Sequence, residues 1–330
     1  MHHNPNRRRA LNKLALAGLS LVAASSARSQ NFPDRPVKII VPFAPGAGTD
    51  AVARLMAQKL GEVMGATFVV ENRAGASGAI GTQAVAQAAP DGYTLLLVAS
   101  PFTTVAASMP GANYDPLRQF APVGMIASGP LVWATNAQSP AHNMKEMVGL
   151  ARQKPGALNY GSAGAGGVNH LVLELLKSRT GTFITHIPYR GVAPATMDML
   201  AGHIQLVTGT IPALLPFIKD GRVRALAVTS AKRSAALPDV PSMAEAGLAG
   251  IDVVNFFALA APAGTPPAIV NQLNAAINKA VALPEVVARF KLDAIEAAPG
   301  SPALLGHFLE ADYRAWRNVV HTQKLVVDSL

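Results

Sequence analysis

Two glycine-rich stretches carry the groups best suited to chemistry in this sequence. The first is Pro42-Phe-Ala-Pro-Gly-Ala-Gly-Thr-Asp50 and the second is Gly161-Ser-Ala-Gly-Ala-Gly-Gly167. Each follows a short run that reads as a strand and precedes a segment with apolar residues at helical spacing, so both sit where strand turns into helix. At such a junction the first N–H groups of the helix have no intrahelical partner and the helix dipole favours negative charge. Glycine lets a ligand come close to that backbone. The chemistry on offer is capture of a small anion by neutral N–H donors.

Other chemistries fit these residues less well. Gly46-x-Gly48-x-x-Ala51 matches a dinucleotide-binding pattern, with Glu71 about where a ribose acid would stand. However, Pro42 to Pro45 separate the strand from the first glycine, and Asp50 would repel a pyrophosphate. No G-x-x-x-x-G-K-[ST] stretch exists, which excludes a nucleotide P-loop. Gly75-Ala-Ser77-Gly-Ala79 ends in Ala where a nucleophile elbow needs Gly. Ser162 lies in the second loop with no base or acid signalled nearby and reads as a cap or a ligand hydroxyl. An exported serine hydrolase using Ser162 or Ser77 is the alternative reading. Zero Cys excludes a thiol nucleophile, a thiolate zinc site and a disulfide framework. His142, His170, His186, His203, His307 and His321 form no H-E-x-x-H and no close pair with acids, so neither a metal nor a cofactor is expected. His170, just after the second loop, is the histidine best placed to reach a ligand, although a satisfied structural role is the default. Arg73 and Arg190 follow strands, and either could hold a carboxylate in a bidentate pair. Asp50 reads first as a helix cap.

The elements that must position these loops repeat. Val37–Val41, Thr67–Glu71 and Tyr93–Val98 read as strands, separated by helices from Thr49 and from Ser77 to about Ala89. The same order returns with strands at Ala157–Tyr160, Phe183–Ile187 and His203–Val207 and helices after Gly167 and from about Ala193 to Ala201. An apolar extended segment, 120–134, joins the two. Further strands are expected at 225–228 and 253–260, and helices at 267–282, 284–292 and 301–323. Repeated β-loop-α order predicts an α/β fold of two domains, each with a mostly parallel sheet flanked by helices. Both glycine loops lie at carboxyl ends of strands, where open parallel sheets bind ligands. The expected division is residues 30–130 with 256–330 as domain 1 and 131–255 as domain 2. The tail is expected to return to the first domain, and two chain crossings make a hinge.

Composition limits the partners. The 330 residues are 50% hydrophobic and 14% charged, which excludes a disordered or highly charged scaffold. The N-terminus has Arg7, Arg8, Arg9 and Lys13, then an uncharged apolar run from Leu14 to Ala24, then Ser25-Ser26-Ala27. That order reads as a signal peptide over residues 1–27, and Arg8-Arg9 loosely matches the twin-arginine export pattern. Its removal takes four cations and no anion, lowering the net charge from +9 to +5. A mildly basic mature chain suits a small anionic ligand. No Lys/Arg block with interleaved aromatics supports nucleic acid as a partner.

The ordered set of stretches resembles the substrate-binding receptors of tripartite tricarboxylate transporters, the family also called Bug receptors. Besides the two glycine loops the resemblance rests on Val70-Glu-Asn-Arg-Ala-Gly-Ala-Ser-Gly-Ala-Ile-Gly81, Ala89-Pro-Asp-Gly-Tyr-Thr-Leu-Leu96 and Asn159-Tyr160. It continues through Pro188-Tyr-Arg-Gly191, Arg224-Ala-Leu-Ala-Val-Thr-Ser230, Leu237-Pro-Asp-Val-Pro-Ser-Met-Ala-Glu-Ala-Gly247 and Pro262-Ala-Gly-Thr-Pro266. It implies a periplasmic, non-catalytic, monomeric binding protein of the Venus-flytrap kind that holds a small carboxylate between its domains. Delivery would be to a two-subunit membrane permease, or presentation to a membrane sensor. Carried over by position, the first-domain contacts would be Phe43, Ala44, Ala47, Gly48, Asp50, Ser77 and Gly78. Those of the second domain would be Ser162, Gly164, Gly166 and Tyr189. Ala47 stands where many members have Gly, Ala74 where many have Pro, and Gly167 where many have Ser.

Overall fold

The computed structural model describes residues 32–325 apart from Ala47 and Arg190, so the expected signal peptide and those two positions lie outside the described residues. In chain order the first half runs β1 (Val37–Val41), α1 (Gly48–Met64), β2 (Phe68–Asn72), α2 (Ala79–Ala86), β3 (Thr94–Ala99) and α3 (Pro101–Ser108). The long β4 (Phe120–Asn136) leads to α4 (Met144–Gln153), β5 (Asn159–Ser162), α5 (Val168–Thr180), β6 (Thr185–Pro188), α6 (Val192–Leu200), β7 (Leu206–Thr210), α7 (Ile211–Lys219) and β8 (Val223–Val228). The chain returns through β9 (Val254–Pro262), α8 (Pro267–Val281), α9 (Pro284–Leu292), β10 (Glu296–Ala297) and α10 (Pro302–Thr322).

The strands follow the order β2-β1-β3-β9-β4-β7-β5-β6, with β8 and β10 also on β4. β1 is parallel to β2 and β3, and β5 is parallel to β6 and β7. β4 and β9 are antiparallel to their neighbours. β4 pairs with β9 as far as Pro130, then with β7 from Leu131 and β8 from Val132. One strand thus serves both halves. This is a two-domain α/β arrangement of the periplasmic-binding-protein kind.

Alternation along β1 explains why its run is apolar throughout. Val37, Ile39 and Val41 face Val52, Met56 and Leu60 of α1 and Leu273 and Ile277 of α8. Ile40 faces the other way, into a cluster with Phe102 of α3 and Leu305 and Leu309 of α10. Successive strand side chains point to opposite faces, and helices cover both. In the second half Trp133, Tyr160 and Leu206 pack with Leu171 and Leu176 of α5. Val132 and Val207 pack on the other face with Met199 and Leu214.

Three helices were not foreseen. α3 lacks an amphipathic stripe, because Phe102, Thr103, Thr104 and Val105 are all buried. α7 is nearly all apolar and contains Pro212 and Pro216. α4 did carry a signal: Asn143 accepts from the Glu146 amide, and the Glu146 carboxylate accepts from the His142 amide, a capping arrangement written in the sequence. The tail also does more than expected. α10 places Leu305 and Leu309 in the first half but Trp316 and Val319 in the core of the second.

Candidate functional site

The first loop is held by a buried carboxylate. Asp50, in the first turn of α1, is 4% exposed. Its Oδ2 accepts from the Gly46 amide at 3.0 Å and from Arg54 Nε at 2.9 Å, and its Oδ1 accepts from Asn72 Nδ2 at 2.9 Å. Asn72 Nδ2 also donates to the Phe43 carbonyl at 3.1 Å, and Arg54 donates to Asn72 Oδ1 at 3.1 Å. The hydrogen bond from Arg54 is the main reason the Asp50 carboxyl is held down at about 2. Both Asp50 oxygens are thus committed to the loop, and the amide it engages lies ahead of the helix. Asp50 latches the turn between β1 and α1, and the Arg54 guanidinium compensates its charge, so an anion can approach the start of α1.

Ala44 and Gly48 are exposed on this loop, while Phe43 is half-buried. Phe43 meets the second segment of the first half. A Cβ on Gly78 would lie 3.2 Å from the Phe43 ring, so that glycine permits the contact. Gly75, Ala76, Ser77 and Gly78 have consecutive positive φ values of 136°, 47°, 54° and 98°. For Ala76 and Ser77 this is left-handed strain worth about 1–3 kcal/mol each. Phe43, Ser77 and Gly78 come together around a narrow recess of about 10 Å³, room for little more than one water, with Pro101, Phe102 and Tyr114.

The second loop is held by histidines. Ser162, at the end of β5 and 1% exposed, has its Oγ 2.7 Å from His186 Nε2. The same Oγ accepts from the Gly164 amide at 3.1 Å and lies 3.0 Å from the Gly164 carbonyl. The Gly166 amide donates to His170 Nδ1 at 3.1 Å. The two imidazoles stack at 4.0 Å between centroids, with the Tyr160 ring 4.7 Å from His186. Burial pushes both histidines below the ordinary range, His186 to about 3. Both are neutral at physiological pH. Tyr189 donates its hydroxyl to Asp198 at 2.7 Å, and burial, helped by that carboxylate, raises it to about 12. Its hydroxyl is thus spoken for, and its ring covers Gly161.

The second loop meets the first half at α3, while a separate cavity between the halves is lined by the first glycine loop but not by the second. Gly166 touches α3 and the residue after it: a Cβ there would lie 2.9 Å from Ser108 Oγ and 3.1 Å from Met109. Ala165 packs beside Val105 and Met109. Gly164, by contrast, has nothing closer to its Cβ position than the Tyr189 carbonyl at 3.9 Å. The cavity has a volume of about 250 Å³ and opens to solvent. Gly46 and Gly48 line it from the first half, Thr210, Ile211 and Pro212 from the second, and Gly129, Pro130, Asn255 and Phe257 from the connecting strands. Two helix starts, those of α1 and α7, border one space. Arg73 is engaged by Glu71 at 2.6 Å, so it is no spare cation.

Arg54, Asn72, Thr210 and Ile211 join the site beyond the residues expected from the sequence, as does His186 as the partner of Ser162. Asn72 sits inside a motif already noted. The Ser162–His186 contact depends on the β5–β6 register, Tyr160 opposite His186, which no local pattern reveals.

Comparison with known proteins agrees with this architecture. The family model described as "Tripartite tricarboxylate transporter family receptor" matches residues 52–325. Protein BugT of Bordetella pertussis is 37% identical over 312 residues, covering 93% of this chain and 96% of that protein. Two solved structures from Rhodopseudomonas palustris are close in fold. Rpa4515 with adipate is 35% identical with a TM-score of 0.81, covering 90% of this chain and 99% of its own. MatC with bound malate is 31% identical with a TM-score of 0.79, covering 88% and 100%. With the model matching most of the chain, and relatives this similar over nearly their full length, the chain belongs to the tripartite tricarboxylate transporter receptor family, whose members are periplasmic solute-binding proteins.

Proposed function

We propose that this protein is an exported receptor that closes on a small carboxylate between its halves and delivers it to a two-subunit membrane permease or presents it to a membrane sensor. The observation that carries the reading is the convergence of α1 and α7, one helix start from each half, on one cavity floored by the connecting strands. Unpaired N–H groups at the start of α1, joined by the fewer that α7 offers around Pro212, suit a carboxylate, and a ligand held from both sides favours the closed form. Division near Pro130–Leu131, where β4 changes partners, gives each half its own parallel strands and its own loop set. The relatives with adipate and malate support a carboxylate as the ligand class. Among the described residues no helix is long and apolar enough to cross a membrane.

A panel of mono-, di- and tricarboxylates in a thermal unfolding screen tests the reading. A ligand present at about 100 times its Kd stabilises by roughly 2.7 kcal/mol, an easily measured rise in Tm. The same ligand should reduce the radius of gyration in solution scattering, and no rise with any carboxylate would reject the proposal. Export predicts that protein recovered from the periplasm begins near Arg28 to Asn31, and an intact Met1 there would contradict it.

The Ser162–His186 contact at 2.7 Å gives the hydrolase alternative a serine and a base. Three features favour a structural role. Ser162 is buried, its hydroxyl already serves Gly164, and no carboxylate among the described residues bonds to His186. Ester turnover is therefore expected to stay at background in wild type and Ser162→Ala alike. Turnover lost in Ser162→Ala would reinstate the enzyme.

A further inference from the structure

The carboxylate-binding reading leaves unexplained why the second glycine loop rests on two stacked imidazoles. A glycine loop can be tied by hydroxyls and carbonyls alone, groups that do not titrate. Here the Gly166 amide, which is buried, has as its acceptor the Nδ1 of His170. An imidazole nitrogen accepts only while unprotonated. Nδ1 therefore carries no proton in this arrangement, and the neutral ring bears its hydrogen on Nε2, which lies 3.8 Å from Glu174 Oε1. The Gly166 peptide in turn sets two things. It fixes the loop against Ser108 and Met109, and it leads into Gly167 and Val168, whose amides at the start of α5 have no acceptor among the described residues.

We infer that His170 is a positioning residue for carboxylate capture, whose unprotonated Nδ1 fixes the Gly166 peptide and so sets the contact between the second loop and α3, across which the two halves close on the ligand. This rests on the proposed function. Protonation puts a second donor where the Gly166 N–H points, so the peptide must turn away and the loop lets go of α3.

The surroundings define how the ring responds. From β6, His186 stacks on it at 4.0 Å, so a proton on one ring disfavours a proton on the other. From β5, Tyr160 stacks at 6.4 Å and gives its hydroxyl to Glu174. From α5 itself, Glu174 favours the charged ring, but Lys177 sits on that same carboxylate at 2.8 Å and opposes it. From α3 come only the uncharged Ser108 and, just after it, Met109. From α10, Asp312 meets α3 and is held by Thr103 and Trp316. Burial outweighs Glu174 and keeps the ring neutral, so the loop stays set at neutral pH and is released as pH falls below the ordinary histidine range.

The experiment compares wild type, His170→Asn and His170→Leu, with adipate and malate as calorimetric probes between about pH 7.5 and about pH 4.5. Asparagine places an amide oxygen where Nδ1 stands and does not titrate. Leucine keeps the bulk and removes the acceptor. Near pH 7.5, His170→Asn should keep its affinity within about threefold, and His170→Leu should lose about tenfold or more. On acidification the wild type should weaken more than His170→Asn, any titration of the probe itself being common to both. Parallel pH curves for those two proteins, or equal affinity in His170→Leu, would overturn the inference. The Gly166 amide resonance of the ligand-free protein gives a second readout, which should move with pH in wild type and not in His170→Asn. Should the wild type bind no carboxylate while that resonance titrates as stated, the proposed function fails and the loop assignment stands without its ligand role. A resonance that does not depend on His170 overturns the assignment itself.

Discussion

Gly48→Val is expected to lower carboxylate affinity by at least about 100-fold, close to 2.7 kcal/mol, with the fold intact. Gly48 opens α1 and lines the central cavity, it is exposed, and a Cβ built on it meets nothing within 4 Å. Its backbone is not left-handed, so valine introduces no strain. The branched side chain occupies the space through which a carboxylate would reach the first amides of α1. Hydrogen bonds to a charged group contribute about 1.5–3 kcal/mol each, so losing one or two accounts for the effect. Calorimetry on the variant, with a melting curve to show an unchanged Tm, is the check. Full affinity would place the ligand elsewhere. Gly164→Val is the weaker test, because Gly164 has φ of 134° and valine there strains the loop whether or not a ligand uses it. Arg73→Ala should change affinity by less than about threefold, because Arg73 is spent on Glu71 at the surface.

Asp50→Ala is expected to lower the unfolding free energy by about 2–3 kcal/mol and to weaken ligand binding about tenfold. The carboxylate has three hydrogen-bond partners, and truncation leaves the Gly46 amide, Arg54 Nε and one of the two Asn72 Nδ2 hydrogens without an acceptor. The Phe43–Gly48 turn is then tied only through Asn72 to the Phe43 carbonyl. Asp50→Asn should lie between the two, since one oxygen remains to accept. The pH dependence has a definite sign. The folded value is depressed to about 2 from an ordinary 3.8, so the unfolded chain binds the proton more readily. The contribution is fully present above about pH 3.8 and is lost as pH falls through about 2. Denaturant melts of wild type and Asp50→Ala should converge across that window, and a constant gap would mean that Asp50 stabilises by shape rather than charge.

These two residues show how far the site could be read without a structure. Both lie in a stretch whose strand-loop-helix order is written locally: β-branched apolar residues, then proline and glycine, then apolar residues at helical spacing. The same holds for β5, the Ser162 loop and α5. Local grammar gave the loops, and the resemblance gave the ligand class. It did not give the partners of the loop residues. Asp50 had the look of a helix cap, and only the arrival of Asn72 from the neighbouring strand made it a three-way latch.

What the sequence determined by itself is the set of elements whose pattern is local and amphipathic or alternating, together with the two glycine loops at strand ends. α3 escaped because most of its side chains are buried, and α7 because it is apolar nearly throughout and carries Pro212 and Pro216; neither shows the polar stripe that announces a helix. Tertiary structure alone decided which distant groups meet. The β5–β6 register brings His186 under Ser162, and the return of β9 beside β4 sets Asn255 on the cavity floor. The fold of α10 across both halves places Leu309 in one core and Trp316 in the other. Each of these is a contact between residues far apart in the chain, fixed by the packing of whole elements. No local preference encodes such a contact, because its energy exists only once both elements are in place.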